Sequence, residues 1–318
     1  MAFPLLQARG GKMSGLKDFL KKEEAVSQNL APIVPEPQKP EYKIPDISGL
    51  TKKDYALEEI LIKGTGISLR YGNKQILRDV NFEIRNVTRP GITQGQVIAL
   101  IGRSGIGKSQ LFRILSGLNK PTTGSILIDS NQHPVTAGEV GIIPQNYILF
   151  NHRTIRKNLL LGMSHSGKKR TAKEAEDLID QYAEAFDLKD HLEKYPMQLS
   201  GGQRQRVSII QQVLTDNKFI LLDEPFSGLD SLMVDKVIHL LIKISLLNEY
   251  NTMVIISHDI ESSMAIADTV WLLAKEPEKE GATITHVYDL KEMGLAWDPG
   301  IREKPEFQKL VTAVKGQI

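Results

Sequence analysis

Cysteine is absent from the sequence, and its absence excludes several kinds of site. With no thiol in its 318 residues, the chain can form no disulfide, no cysteine-ligated zinc site and no thiolate-held iron–sulfur cluster. The lack of cysteine fits a reducing compartment, where disulfides rarely form. The first 15 residues also lack the apolar core of a secretory signal peptide, so we expect no secretion signal.

Long apolar runs are missing as well. A membrane-spanning helix needs about 18 or more mainly apolar residues. The strongest candidate, residues 237–247, is shorter than this and is interrupted by Lys243. The sequence therefore predicts a chain that does not itself span a membrane. Apolar residues still make up 41% of the sequence, which is enough for a sizeable core in one or two domains.

An excess of charge of one sign is also lacking. The formal net charge of the chain is only +2. Nucleic-acid-binding domains usually carry a strong positive field. The composition therefore predicts no nucleic-acid partner.

A glycine-rich turn follows a strongly apolar segment. Residues 97–101 read Val-Ile-Ala-Leu-Ile, as expected for a strand buried on both faces. Residues 102–109 then read Gly-Arg-Ser-Gly-Ile-Gly-Lys-Ser, which matches the P-loop pattern G-x-x-x-x-G-K-[ST]. In a P-loop, Lys108 reaches the β- and γ-phosphates of a nucleotide and the Ser109 hydroxyl binds Mg²⁺.

A helix should follow this turn, beginning near Lys108. Its N-terminus would add partial positive charge where phosphate binds. The helix is predicted from apolar residues spaced for one helical face, namely Leu111, Ile114, Leu115 and Leu118.

Two adjacent carboxylates end a second buried-strand segment. The apolar residues 219–222 are followed directly by Asp223 and Glu224. The C-terminal ends of parallel strands are where ligands bind in open α/β sheets. Because neighbouring strand residues point to opposite faces, the two acids can take different tasks. Asp223 would hold hydrated Mg²⁺, and Glu224 would accept a proton from an attacking water.

A second loop, Leu-Ser-Gly-Gly-Gln over residues 199–203, is foreign to P-loop enzymes in general. Together with the P-loop it resembles the signature of the ATP-binding cassette (ABC) ATPases, over about residues 60–275. The resemblance implies an α/β fold: a P-loop NTPase core with a mainly parallel sheet, an antiparallel β subdomain and a helical signature subdomain. In that family, the signature loop closes over nucleotide held by the P-loop of a partner subunit.

Four further residues follow the order of the family's motifs. Tyr71 resembles the aromatic residue that stacks on adenine, and Gln145 resembles the Q-loop glutamine that senses Mg²⁺ and the γ-phosphate. Asp230, in Ser-Gly-Leu-Asp, resembles the D-loop residue that contacts the opposite subunit. His258, after the apolar residues 254–256, resembles the switch histidine that hydrogen-bonds the γ-phosphate.

The resemblance thus implies a complete set of site residues. The catalytic residues are Glu224, His258 and Lys108. The metal ligands are Ser109, Gln145 and Asp223. The ATP contacts are Tyr71, Gly102, Ser104, Gly105, Gly107, Lys108, Ser109, Gln110, Gln145, Ser200, Gly201, Gly202, Gln203 and Asp230. ATP and Mg²⁺ are the implied cofactors.

The predicted organisation has three parts. Residues 1–55 form a proline-rich extension, interpreted either as a disordered tail or as a docking arm. The ABC ATPase domain covers residues 56–275, and residues 276–318 form a short C-terminal extension. Within the domain, the connection over residues 85–93 is longer than the family pattern implies. We interpret it as a harmless surface insertion, as an alteration of the adenine site or as a partner contact.

Helices are expected over residues 173–186, 202–214 and 307–314. Between the Q-loop glutamine and the first of these lie three consecutive apolar residues, Ile148, Leu149 and Phe150. We expect them either to face a membrane partner or to pack in the core. The sequence does not decide between these two alternatives.

The resemblance implies a subunit that hydrolyses ATP to ADP and phosphate. A single cassette implies a second ABC subunit, forming a head-to-tail homodimer. The favoured role is transport, with separate transmembrane permease subunits and a cytoplasmic location on the inner face of the cell membrane. The alternative is a non-transport ABC ATPase that acts on a protein or cluster-assembly partner.

Overall fold

The computed structural model describes residues 54–91, 95–129, 131–166, 168–229, 231–246, 252–298 and 300–318. Most of the predicted N-terminal extension, residues 1–53, and the predicted D-loop residue Asp230 lie outside the described residues. The strands are β1 (Ala56–Tyr71), β2 (Lys74–Thr88), β3 (Gln96–Ile101), β4 (Thr123–Ile128), β5 (His133–Pro134), β6 (Gly141–Ile143), β7 (Phe219–Asp223), β8 (Thr252–Ser257), β9 (Thr269–Lys275) and β10 (Ala282–Asp289). The helices are α1 (Lys108–Leu115), α2 (Ile155–Ser164), α3 (Ala172–Ala185), α4 (Gly201–Val213), α5 (Ser231–Ser245), α6 (Ile260–Ile266) and α7 (Pro305–Gln317).

The ten strands form one sheet in the order β5-β4-β1-β2-β10-β9-β3-β8-β7-β6. Five of them, from β9 through β3, β8 and β7 to β6, run parallel. Every residue of β3 and of β8 is buried, as their unbroken apolar sequences predict. The mainly parallel P-loop core expected from the sequence is confirmed.

The register of these strands brings three chain segments to one edge of the sheet. Ile101 pairs with Ser257, and Asp223 pairs with Ile256. The P-loop, Glu224 and His258 each follow the last residue of their strand, so all three lie at the same carboxyl edge.

The antiparallel part of the sheet is built on the β1–β2 hairpin. The strands are joined at Gly72 and Asn73, where the sequence predicts a turn, and β4 pairs with β1 on its other side. β2 continues to Thr88, which pairs with Ala56. The expectation that residues 85–93 form a connection is therefore wrong for its first half, because residues 85–88 complete the hairpin.

The helical region between Gln145 and Ser200 is confirmed. Side chains from α2 to α5 pack in one core cluster with those of β6, β7 and β8. The predicted helix over 173–186 is α3, and the one over 202–214 is α4, which begins one residue earlier at Gly201. The helices α2 and α4 lie close together, since a Cβ on Gly162 would come within 2.5 Å of the Gln211 carbonyl oxygen.

The helix after the P-loop is shorter than its apolar spacing predicts. α1 ends at Leu115, and Gly117 adopts a left-handed conformation with φ of 71°. The chain therefore leaves the helical path before Leu118, whose side chain is 59% exposed. Its assignment to the buried face of this helix is wrong, whereas Leu111, Ile114 and Leu115 are buried.

The residues after 275 also pack against the sheet. β10 pairs with β9, and α7 is longer than the predicted 307–314 helix. Phe307, Val311 and Val314 on α7 join a core cluster with Ile101 and Leu272. The boundary at residue 275 stays a prediction. In the described part of the chain, no helix combines the length and apolar composition that a membrane span requires.

Candidate functional site

The P-loop joins the fully buried β3 to α1. Gly105 and Gly107 have φ angles of 73° and 121°, which favour glycine over any residue with a side chain. Gly102 is required for a different reason: a Cβ there would lie 2.5 Å from the Leu273 carbonyl oxygen. Left-handed φ angles therefore account for Gly105 and Gly107, and close packing against β9 accounts for Gly102.

Lys108 lies over the loop that carries it. Its side chain is buried, and Nζ donates to the carbonyl oxygens of Gly102, at 2.6 Å, and Arg103, at 3.1 Å. Burial lowers the pKa of Lys108, while the nearby carboxylates of Glu224 and Asp223 act in the opposite direction. A buried ammonium at a helix N-terminus fits the charge of a nucleotide phosphate.

Asp223 and Glu224 lie at the end of β7. Burial raises the pKa of Asp223, and the neighbouring charge of Glu224 raises it further. Lys108 and Arg113 oppose this rise in the pKa. At the carboxyl edge of the sheet, Asp223 and Lys108 therefore each favour the charged form of the other.

Glu224 has an unusual backbone and a tightly fixed side chain. Its φ is 52°, and its amide donates to the Ile256 carbonyl oxygen at 2.7 Å. The carboxylate oxygen Oε2 accepts from the Ser257 hydroxyl at 3.2 Å and from the His258 amide at 3.1 Å. His258 Nδ1 also lies 2.7 Å from this oxygen. Left-handed backbone at a non-glycine residue costs free energy and often occurs at functional sites.

Gln145 connects two loops at the same edge. Its Nε2 donates to the Ser227 hydroxyl at 3.1 Å, so the segment after β6 is joined to the segment after Glu224. Gln145 and Ser109 are both exposed. Hydroxyl, amide and carboxylate oxygens are suitable Mg²⁺ ligands. The described residues hold no cluster of three or more His, Cys, Asp or Glu that could bind a metal alone, so an ion here would depend on water and phosphate oxygens as well.

Tyr71 ends β1 with its side chain half exposed. Its hydroxyl donates to Gln110 Oε1 at 3.0 Å and accepts from Asn119 Nδ2 at 3.2 Å. The structure thus joins the predicted adenine-stacking residue to Gln110 on α1, next to Ser109.

The predicted signature loop begins α4. Ser200 is the N-cap: its Oγ accepts from the Gln203 amide at 3.3 Å, and Gln203 Oε1 accepts from the Ser200 amide at 2.9 Å. Nε2 of Gln203 lies 2.6 Å from Nε2 of His191. Within the described residues, these bonds keep the loop in the helical region and do not join it to the P-loop. Gly201 is exposed, and a Cβ there would meet no atom within 4 Å.

Of the three apolar residues after Gln145, Leu149 is buried whereas Ile148 and Phe150 are exposed. Core packing is therefore confirmed for Leu149, whereas contact of Ile148 and Phe150 with a membrane partner stays a prediction. The loop is held by Asn158 of α2, a fully buried residue that sequence reasoning missed. Asn158 Oδ1 accepts from the Phe150 amide, and its Nδ2 donates to three carbonyl oxygens, those of Phe150, Arg153 and Thr154.

Other supporting residues were also missed. They include Ser257, Asn119 and His191, which contact Glu224, Tyr71 and Gln203, respectively. Each lies far along the chain from the residue it contacts, and no spacing rule connects them. Ser257 alone had a signal, because it ends the apolar strand before the predicted switch histidine.

Comparison with known proteins shows which family the chain resembles. The profile of a family described as "ABC transporter" matches residues 86–227. A Chlorella vulgaris protein named a probable sulfate/thiosulfate import ATP-binding protein CysA is 36% identical over 215 residues, which cover 65% of this chain and 84% of that protein. The sulfate/thiosulfate import ATP-binding protein CysA of Thermosynechococcus vestitus is 33% identical over 226 residues, or 70% of this chain. The chain spans only 64% of the length of that second relative.

Solved structures agree on the fold. CbiO1 from Clostridium perfringens, part of the ABC transporter complex CbiONQ, superposes with a TM-score of 0.62 at 23% identity, covering 81% of this chain and all of that one. A dimeric bacterial ABC transporter cassette superposes with a TM-score of 0.58 at 26% identity, covering 72% and 99% of the two chains. The chain therefore belongs to the family of ABC transporter ATP-binding proteins.

Proposed function

We propose that this chain is the ATP-hydrolysing subunit of an ABC importer and acts as a head-to-tail dimer beneath separate membrane subunits. The observation that carries the proposal is the fixed Glu224 carboxylate. It lies 2.7 Å from His258 Nδ1 at the carboxyl edge shared with the P-loop. A positioned base and a phosphate cradle at one edge are what nucleotide hydrolysis requires.

In the proposed reaction, the P-loop and Lys108 bind the nucleotide phosphates. Ser109, Asp223 and Gln145 would hold Mg²⁺, which when bound neutralises phosphate charge and orients the phosphates. Glu224 accepts the proton of the attacking water. His258 is exposed, and its contact with Glu224 through Nδ1 leaves Nε2 to meet the γ-phosphate. The left-handed backbone of Glu224 places its carboxylate against His258.

The exposed N-terminus of α4 supports the dimeric part of the proposal. Gly201 has open space around it, and the first amides of a helix attract anions. In a head-to-tail pair, Ser200–Gln203 and the predicted Asp230 of one chain would complete the nucleotide site of the other. ATP would then join the two chains, and its hydrolysis would release them.

The names of the relatives support import as the process that the ATPase drives. Sulfate and thiosulfate, named for those relatives, are the first solutes to test. The exposed Ile148 and Phe150 provide an apolar contact for a permease on the inner face of the membrane. Isolation of the intact complex from membranes tests this part, and recovery with only non-membrane partners would contradict it.

The hydrolytic assignment is tested with Glu224→Gln. Loss of the base should lower steady-state ATP turnover by about 10²–10⁴-fold while ATP binding is retained. Glu306→Gln, on the exposed surface of α7, is the matched control and should keep normal turnover. Normal turnover by Glu224→Gln would show that the base lies elsewhere. A wild-type chain that neither binds nor hydrolyses ATP, even with its native partners, would overturn the proposal as a whole.

A further inference from the structure

The hydroxyl of Tyr71 is held by two amide side chains from one part of the molecule. Gln110 lies in the first turn of α1, and Asn119 follows the end of that helix. The backbone N–H of Asn119 donates to the Arg113 carbonyl oxygen at 2.9 Å, so Asn119 is itself fixed to α1. Both partners of the Tyr71 hydroxyl therefore move with the helix that carries the P-loop lysine.

These two bonds restrict a ring that would otherwise be mobile. Tyr71 is the last residue of β1, it precedes a turn at Gly72, and half of its surface is exposed. At such a position a tyrosine ring can rotate about two side-chain bonds. A donated and an accepted hydrogen bond at the far end of the ring restrict both rotations, and half of the side chain stays exposed.

Gln110 reaches the Tyr71 ring from the first turn of α1. Its side-chain Oε1 lies 3.0 Å from the Tyr71 hydroxyl. A shorter hydroxyl side chain at this position would not span the same distance. Gln110 therefore joins the helix that carries Lys108 to the end of β1.

We propose that Gln110 and Asn119 are positioning residues that hold the Tyr71 ring ready to stack on the adenine base. The inference rests on the proposed function, because it requires ATP to occupy the P-loop. Its physical basis is preorganisation: a ring already fixed in place loses less conformational freedom when the base binds. The two residues act on affinity for the base and not on the phosphate chemistry.

A competing explanation is purely structural. The end of β1 is also joined to the segment after α1 through the Arg70 amide, which donates to Thr122 Oγ1 at 3.0 Å. If the Tyr71 bonds only strengthened this connection, removing them would lower thermal stability and affect every ligand equally. A positioning role instead predicts an effect that depends on the presence of a base.

The test compares ATP with inorganic tripolyphosphate, both with Mg²⁺, by calorimetric titration. Tyr71→Phe removes only the hydroxyl, and Gln110→Ala removes its acceptor. Each should raise the Kd for ATP by about three- to tenfold, and by a clearly larger factor than it raises the Kd for tripolyphosphate. The double variant should lose no more affinity for ATP than Tyr71→Phe alone, because that substitution already removes the bond to Gln110. Asn119→Ala should change affinity in the same direction.

Asn73→Ala serves as the control, since it removes an exposed amide two residues from Tyr71 without touching the ring. It should bind both ligands as wild type does. Equal losses for ATP and tripolyphosphate, unchanged ATP affinity, or additive losses in the double variant would each overturn the inference. If the wild-type chain itself fails to bind ATP, the proposed function fails. If it binds ATP and the two single variants bind equally well, only the positioning role fails.

Discussion

At the scale of single residues, burial and neighbouring charge decide how the ionisable groups behave. At the carboxyl edge of the sheet, burial lowers the pKa of Lys108 and raises the pKa of Asp223, and the charge of each group opposes the shift of the other. At the other end of the parallel strands, Asp268 is fully buried and accepts from the Val97 amide at 2.6 Å. Burial raises the pKa of Asp268 to about 6, although Lys291, the Val97 amide and Arg89 act against the rise. The desolvation cost therefore exceeds the gain from these partners.

This raised pKa makes a residue-scale prediction about pH. The folded protein holds a proton on Asp268 more tightly than the unfolded chain, so the stability from this group is present at low pH and is lost as pH rises through about 6. Relative to Asp268→Asn, which stays neutral, wild-type protein should gain about 1.3 kcal/mol of stability as pH falls from about 7.5 to 5. Urea unfolding of both proteins at several pH values measures this difference. Parallel stability curves for the two proteins would contradict it.

At the scale of elements, buried amide side chains form hydrogen bonds with the backbone of loops and with neighbouring helices. Asn158 bonds the backbone of the loop over residues 150–154, and Gln211 Nε2 donates to the Asn158 carbonyl oxygen at 2.9 Å. Gln211 thus joins α4 to α2. Loop and helices therefore form one unit beside the exposed Ile148 and Phe150.

Asn158→Ala tests this unit. The substitution leaves one backbone amide and three carbonyl oxygens without their side-chain partner, and it should lower the free energy of unfolding by about 2–4 kcal/mol. Asn151→Ala, an exposed amide in the same loop, should change it by less than about 0.5 kcal/mol. Denaturant unfolding compares the two variants. Equal stability of the two would mean that Asn158 does not hold the loop.

Secondary structure was predicted best where one local sequence pattern determines the element. The buried strands β3, β7 and β8 follow from unbroken apolar segments, and the residues after them could be placed at one edge of the sheet. The end of β2 could not be predicted, because its last residues are fixed by pairing with Ala56 at the start of the hairpin. The strand β10 was not predicted either. The alternation of apolar and polar residues in its sequence is interrupted at His286, where the pairing with β9 also shifts in register.

In the candidate site, too, residues in local motifs were predicted, whereas residues placed by tertiary packing were not. The P-loop, the two acids and His258 were predicted from motifs, and the structure brings them together at the carboxyl edge of the sheet. The residues that support them, such as Ser257 and Asn119, were not predicted, because each contact depends on tertiary packing and not on local spacing. The contact between Gln110 and Tyr71 could not be predicted for the same reason.

At the scale of the whole molecule, the proposed nucleotide site is completed by a second chain. Within the described residues, Ser200–Gln203 bonds to itself and to His191, away from the P-loop of its own chain. Gly201→Asp is a sharp test of a partner contact. Open space around Gly201 accepts the new side chain, and an acid in the first turn of α4 favours the helix. The thermal stability of the single chain should therefore be kept, whereas the new charge would repel the phosphate of a partner's nucleotide.

The most direct measurement is sedimentation of Glu224→Gln with and without Mg·ATP. Because this variant should bind ATP without hydrolysing it, we predict a dimer with Mg·ATP and a monomer with ADP. Adding Gly201→Asp should abolish the ATP-dependent dimer, with ATP still bound by each chain. A Glu224→Gln chain that binds ATP but stays monomeric, or an ATP-dependent dimer that survives Gly201→Asp, would contradict the shared nucleotide site.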